Sequence, residues 1–448
     1  MEKEIKKQDI FERFGLEPVP AELLTTSWFE YFYIQVAFSV NAGNFLVPAL
    51  AVLEGGLTFS QAVLSTVLGA IFAFFFVSWL SFPGATNGIP AQYAIRSIIG
   101  MKGAQYISSP IRTLTSLYWF SVQTIGGTYL VKEMVERLFQ ISIPFYLISF
   151  LLAATMSILA LVGFDLIKKL TRYFIPILLL GQITIFYLLV TSASPVISTM
   201  HASNAFSVSS FIFFSGLTFV QYVSGVSASS DMARFSKSKK HSFWGIFTGN
   251  VTGFTLTAIL AAFTATRFHD VNPFVVSTTL TNSYSILLLI SVTAIISMLS
   301  INMNNAYTGG FSLLNSIPRL GRIKSAITFG VLGITLSCFP TIVTEAKQYI
   351  TLLGGFIIPL SAVIVTEFII FKKSKMDITD LETMYKENFN FNKQAMIAII
   401  LGMILYFLLE EAYSPGILVF MITSVFYTLY KYASIKFITK KQKSPLSM

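Results

Sequence analysis

Apolar runs of about twenty residues recur along the whole of this 448-residue chain, and no other feature limits its fold as strongly. A bilayer core ~30 Å thick takes about that many residues at ~1.5 Å each, and only a helix satisfies its own backbone within one segment. About twelve such runs can be placed, which predicts an all-α polytopic membrane protein with no soluble domain left over. Composition agrees: 54% of residues are hydrophobic and 12% charged, with a mean hydropathy of +0.70, against roughly 25% charged in soluble domains. The first strongly apolar run begins near Phe29, behind a leader containing Glu2, Glu4, Asp9, Glu12 and Glu17. It lacks the basic flank and cleavage site of a signal peptide and is expected to stay as the first span. A single cysteine, Cys338, excludes an intramolecular disulfide and a cysteine metal cluster.

The net charge of +10 is distributed by topology. Of the 31 Lys and Arg, all but Lys132, Arg137, Arg267 and Lys347 fall in alternate loops, counting from the N-terminus. By the positive-inside rule this places both termini in the cytoplasm, requires an even number of spans, and argues against a nucleic-acid partner. The protein is thus expected in the plasma membrane as a multi-pass protein.

In chain order the expected organisation is a cytoplasmic leader (1–27), spans one to five (28–194), spans six to ten (195–372), a charged cytoplasmic loop (373–393), spans eleven and twelve (394–435) and a short basic tail (436–448). Basic inner loops are expected around Arg96 and Lys168. Span one, from Phe29 to Val52, crowds Ser39, Asn41, Ala42, Gly43 and Asn44 into its middle, so a break is expected there. Span six, from Phe206 to about Ser230, does the same with Gln221, Tyr222, Ser224, Gly225, Ser227 and Ser229. Interrupted spans at matching positions of two five-span halves point to an inverted-repeat transporter with a site near the bilayer midplane. Close packing of small residues explains the glycines and serines, but not Asn41, Asn44 and Gln221.

Two further stretches carry polar chemistry. Trp119 and Gln123 stand one turn apart on one face of span three (Tyr106 to Leu138), a flat surface beside an edge reader. From that pair alone, a buried aromatic and its interhelical hydrogen-bonding neighbour explain both residues. Span eight, from Tyr284 to Gly309, carries Ser297, Ser300 and Asn304 on one stripe and Met298, Asn302 and Asn305 on the next, so one strip could serve an ion and the other a polar ligand.

Across nearly the whole chain these residues resemble the nucleobase:cation symporter family of cytosine, purine, uracil, thiamine, allantoin and hydantoin permeases. The resemblance rests on EPVP at Glu17–Pro20, GIP at Gly88–Pro90 with Arg96, and IGMKGA at Ile99–Ala104. It continues with Ile111-Arg112 ahead of Trp119 and Gln123, D-x-x-R-F at Asp231–Phe235, the run from Asn302 to Thr308, and GGFIIPLSAVIVTEF closing span ten. Glu367 stands where the family shows an aspartate. The resemblance implies a five-plus-five inverted repeat with two extra C-terminal helices. It implies Trp119 and Tyr222 on the two faces of a planar ring, Gln123, Gln221, Ser224 and Asn302 reading its edges, and Gly43 allowing close backbone approach. Amides suit a neutral ring edge because each both donates and accepts. It also implies a coupling cation between Ser39 and Ala42 on span one and Ser297 and Ser300 on span eight, with Ile301 replacing a second hydroxyl.

No metal beyond a sodium ion and no cofactor is expected; the coupling cation is sodium or a proton. The span interiors offer hydroxyls and amides rather than a nucleophile with a base, which argues against an enzyme. His201, His241 and His269 fall in loops or at span ends, and Glu30 and Glu367 near cytoplasmic ends, where structural roles are expected. The expected function is cation-coupled import of a neutral planar nitrogen heterocycle. The competing reading is a same-fold transporter of an amino acid, vitamin or osmolyte. The expected partners are that substrate, the cation and the lipid bilayer, with no obligate protein partner.

Overall fold

The structure is a computed structural model that describes residues 15–161, 164–192, 207–376 and 378–443. Most of the leader, Val162, the 194/195 boundary, His201, Phe206 and the last five residues of the tail lie outside it. Among the described residues every regular element is helical, and a helix covers each of the twelve expected spans. Seven are individually long and apolar enough to cross a bilayer, and the two halves of span one together make an eighth.

Span one is Trp28–Ser39 followed by Ala42–Leu53, bent by 60°. Asn41 makes the break: its backbone is extended and its Oδ1 caps the second half by accepting from the Asn44 N–H at 3.0 Å. Spans two to five are Phe59–Trp79, Ser109–Phe139, Phe145–Ala160 and Phe164–Thr191. Span six runs as Val208–Val223, tightens into a 3₁₀ turn over Ser224–Ser227 and resumes as Ser229–Ala233. Spans seven to ten are Lys239–Phe268, Tyr284–Ser316, Gly321–Ser337 and Ala346–Thr366, and spans eleven and twelve are Lys393–Leu408 and Pro415–Lys443. Arg96 and Lys168, expected in loops, lie in helices: Arg96 in Ala91–Ile99 and Lys168 in the first turns of span five. Basic residues mark the membrane boundary without ending the helix.

Much of the packing pattern recurs when each span is exchanged with the one five along. Span one packs on seven and six on two; four packs on eight and nine on three; one packs on five and six on ten. The pairs three–eight and four–nine map onto themselves. Five is odd, so the two halves cross the membrane in opposite senses, and their broken helices, one and six, face each other at the centre. Spans eleven and twelve pack on span ten, outside this arrangement.

Three of the sequence motifs meet at one end of the bundle. Gly88 adopts a left-handed φ of +64°, and a Cβ there would fall 2.8 Å from Val19 N. Its carbonyl accepts from Val19 N (3.0 Å) and from Arg234 Nε (3.1 Å). The fully buried Arg234 also donates to the carbonyls of Gly15 (3.1 Å) and Glu17 (2.6 Å), so the D-x-x-R-F arginine ties the EPVP leader to the GIP turn. Asp231 accepts from Ala91 N at 2.7 Å. Glu30 closes a capping box with Ser27 and pairs with Lys168 at 3.2 Å, while Glu367 accepts from Tyr427 and Lys431 of span twelve. His241 Nδ1 accepts from Trp28 N at the start of span one, and His269 ends span seven in a left-handed conformation.

Candidate substrate-binding site

A cavity of about 150 Å³ lies where the breaks of spans one and six meet spans three, seven and eight. An apolar cavity of roughly that volume accommodates a benzene ring, so the space is on the scale of one small ring. Trp119, Gln123, Gln221, Tyr222 and Ser224, five of the seven substrate residues expected from the sequence, line it. Trp119 is braced edge-on by Tyr118, with centroids 5.0 Å apart, and Tyr222 by Phe74 at 4.5 Å and Phe254 at 5.0 Å. Both rings are therefore packed against other aromatics.

The amides form one network tied to span one. Gln123 Oε1 accepts from Gly43 N at 3.0 Å and its Nε2 donates to Asn41 Oδ1. A Cβ on Gly43 would collide with that Nε2, so only glycine lets the broken backbone reach the Gln123 amide. Asn44 Nδ2 donates to the Ser39 carbonyl (2.7 Å), which turns Asn44 Oδ1 toward Gln221 Nε2 (3.1 Å). Spans one, three and six are thereby connected. Gly43 lies behind Gln123 rather than on the cavity wall.

Span eight meets the cavity on Ile301, Asn304, Asn305 and Thr308, an i, i+3, i+4, i+7 stripe. Asn302 faces the other way: its Nδ2 donates to Phe120 O and Thr124 Oγ1 of span three, both at 3.0 Å, and its Oδ1 accepts from Asn305 Nδ2 at 3.2 Å. It orients Asn305 from behind.

The four expected ion residues are not all on one wall. Ser39 borders this cavity, and its carbonyl already accepts from Asn44 Nδ2 and from Thr257 Oγ1 (2.9 Å). Ala42 borders a second cavity, of about 830 Å³, on the other side of the break. Ser297 and Ser300 are fully buried in span eight, donating to the carbonyls of Ala294 (2.9 Å) and Ile296 (2.8 Å). Their oxygens keep lone pairs.

Arg112, read from the sequence only as part of a motif, also lines the cavity. It stands two turns before Trp119, so the i, i+7, i+11 spacing of Arg112, Trp119 and Gln123 is the signal that places all three on one face. Its Nη2 donates to Thr308 Oγ1 at 3.0 Å and its Nη1 to Ser224 O at 3.5 Å.

The fold has solved counterparts. One is Mhp1, a nucleobase-cation-symport-1 family transporter in a closed conformation with bromovinylhydantoin bound: 16% identity over 97% of both chains, TM-score 0.79. An inward-facing conformation of Mhp1 matches at TM-score 0.72 and 16% identity, over 94% of this chain and 96% of that one. A Na⁺-coupled sialic acid symporter matches at 0.62 and 12%, over 95% and 93%. At these identities the likeness establishes the fold alone. A search of curated sequences returned no match. The family model described as a permease for cytosine/purines, uracil, thiamine and allantoin matches residues 18–431, and the chain belongs to that family.

Proposed function

We propose that the protein imports a neutral planar nitrogen heterocycle together with a cation, by alternating access. The observation that carries this reading is the cavity itself: two braced aromatic rings, Trp119 and Tyr222, border a space of ring size whose remaining wall interleaves amides and hydroxyls with apolar side chains and Arg112. Among the described residues no carboxylate lines that space, so an amino acid's ammonium would meet no counter-charge, which favours the heterocycle over a zwitterion. In this reading Trp119 and Tyr222 hold the ring faces, and Gln123, Gln221 and Ser224 read its edge. Asn302 acts through Asn305, and Gly43 acts through Gln123.

The coupling cation is sodium, held between Ser39 and Ala42 on span one and Ser297 and Ser300 on span eight, which pack against each other. It binds weakly, because it must compete for the Ser39 carbonyl with two hydrogen bonds already made. The halves 28–194 and 195–372 are the moving units, with the loop 373–393 and the spans in 394–435 appended. The termini are cytoplasmic, which the Lys/Arg asymmetry supports, and the membrane is the plasma membrane. The test is uptake into proteoliposomes under imposed sodium or proton gradients. Accumulation of a nucleobase or hydantoin above its external concentration supports the proposal. Gradient-independent equilibration, or uptake of amino acids alone, contradicts it.

A further inference from the structure

We propose that a groove between the end of span two and the start of span seven binds an anionic phospholipid of the cytoplasmic leaflet. The choice of leaflet rests on the orientation proposed above; the site itself does not depend on what is transported.

Span two ends at Trp79 and span seven begins at Lys239, and the hydroxyls of Ser81 and Ser242, which meet at 2.9 Å, join the two ends. Between them lies a groove of about 240 Å³, lined by Trp79, Phe82, Phe243 and Trp244 with Lys239 and Lys240. Its aromatic wall is preformed. Phe243 stands edge-on to Trp79, with centroids 6.0 Å apart, and to Trp244 at 5.2 Å, while Phe82 lies 6.1 Å from Trp79 and from Phe243. The Trp79 Nε1–H donates to Ser374 Oγ at 2.7 Å, so that indole is fixed and its one polar atom is already engaged. Trp244 is exposed. Tryptophan at a span end sits at headgroup level, and an apolar groove there takes the first part of an acyl chain, from which a soluble anion gains nothing.

The rim is basic without a counter-charge. Among the described residues no carboxylate lines the groove, and neither Lys239 nor Lys240 forms an ion pair. Lys168, Lys372 and Lys431, at other span ends on the same side, are paired with Glu30, Asp380 and Glu367. The Lys239 ammonium lies 5.7 Å from the centre of the Phe82 ring, and Lys237 and Lys240 are exposed beside it. Lys239 and Lys240 also open the 30-residue helix of span seven, whose first N–H groups have no intrahelical acceptor. Two ammonium groups and the positive end of a long helix thus stand over an apolar groove, which matches a phosphodiester above an acyl chain. A choline headgroup would bring its own cation to the same place, so a net negative lipid is preferred.

Brominated acyl chains quench tryptophan on contact, and two of the four tryptophans, Trp79 and Trp244, line the groove. The experiment uses the full chain with Trp28→Phe and Trp119→Phe, reconstituted in phosphatidylcholine with rising fractions of brominated phosphatidylglycerol or brominated phosphatidylcholine. A lysine near an anionic headgroup contributes about fivefold in affinity, so the pair should favour phosphatidylglycerol by roughly ten- to thirtyfold. Lys239→Gln/Lys240→Gln should bring that ratio close to one. Arg319→Gln/Lys324→Gln, which removes the same charge where span nine begins, should leave it unchanged. Equal quenching by the two lipids without further substitution overturns the proposal. So does a preference that survives Lys239→Gln/Lys240→Gln, one that falls equally in both double variants, or one abolished by inorganic phosphate at constant ionic strength, which would mark a site for soluble anions. The comparison of the two lipids decides the matter even where a double variant does not fold, and no substrate is involved, so the heterocycle reading stands or falls separately.

Discussion

The two cavities on either side of the span-one break differ in the kind of polarity they offer. The inner one, bordered by Trp119 and Tyr222, is small, and its wall mixes apolar side chains with amides and hydroxyls, with a single charged side chain, the buried Arg112. The outer one is more than five times larger, and Glu54, Glu133, Glu136, Asp270, Glu345 and Glu411 line it against only Lys132 and Lys347. Several of those charges are paired and partly exposed: Lys347 reaches Glu411 at 3.0 Å and Glu54 at 3.9 Å, and Glu133 takes Arg137 at 2.6 Å. Hydrogen-bond geometry in a dry site discriminates between ligands, whereas a hydrated acidic bowl acts through its summed field, which raises local cation concentration and is screened by salt. The proposed ring recognition belongs to the first region; the second differs from it in carrying mostly carboxylates.

The largest effect that sharpens this contrast is expected from Trp119→Ala. Removing a buried aromatic anchor costs about 2 kcal/mol or more of binding, roughly thirtyfold or greater in Kd. Equilibrium binding on monodisperse protein in detergent checks it, and an unchanged Kd would break the assignment. Next comes Gly43→Ala, whose Cβ would displace the Gln123 amide from its bonds to Gly43 N and Asn41. Losing the hydrogen bonds that orient the Gln123 amide should weaken substrate binding by up to roughly tenfold. The loss should appear in substrate affinity with little change in detergent melting temperature, since the strain can be relieved by moving one side chain.

Ile301→Thr should have a smaller effect and act on the cation. It adds a hydroxyl on span eight beside Ser300, and is expected to tighten apparent sodium affinity by a few-fold, with a reciprocal gain in substrate affinity at fixed sodium. Titration of sodium at constant ionic strength, at two pH values, reads this; a response to pH alone in both proteins would move the coupling to a proton. The smallest effect belongs to the outer bowl. Glu345→Gln should shift substrate affinity by less than about twofold, and any change in sodium dependence should vanish as salt shortens the Debye length.

How far the sequence foresaw this arrangement depends on what each residue's neighbours add. The meeting of Trp119, Gln123, Gln221 and Tyr222 was implied by the family resemblance, while the helical fold and the breaks at Asn41 and around Ser224 were legible in the residues themselves. Period, small-residue crowding and out-of-place amides are local signals that tertiary packing had no reason to override. The facing of span eight was not legible. Asn302, Asn304 and Asn305 spread over nearly half the helix circumference, and what turns Asn302 away is a pair of acceptors on span three, Phe120 O and Thr124 Oγ1. Arg112 was hidden for a related reason. A basic residue near a span end reads as a topological charge, and only the packing of Ser224 and Thr308 around it shows that it is buried at the cavity.

Whether the ligand sits against Trp119 can be read from the tryptophans themselves. The chain has four, at positions 28, 79, 119 and 244, and only Trp119 borders the inner cavity. With Trp28, Trp79 and Trp244 replaced by phenylalanine, a heterocycle stacked on the remaining indole should quench or shift its emission saturably. The midpoint should equal the Kd from radioligand binding. Saturable radioligand binding with no change in Trp119 emission would contradict the account.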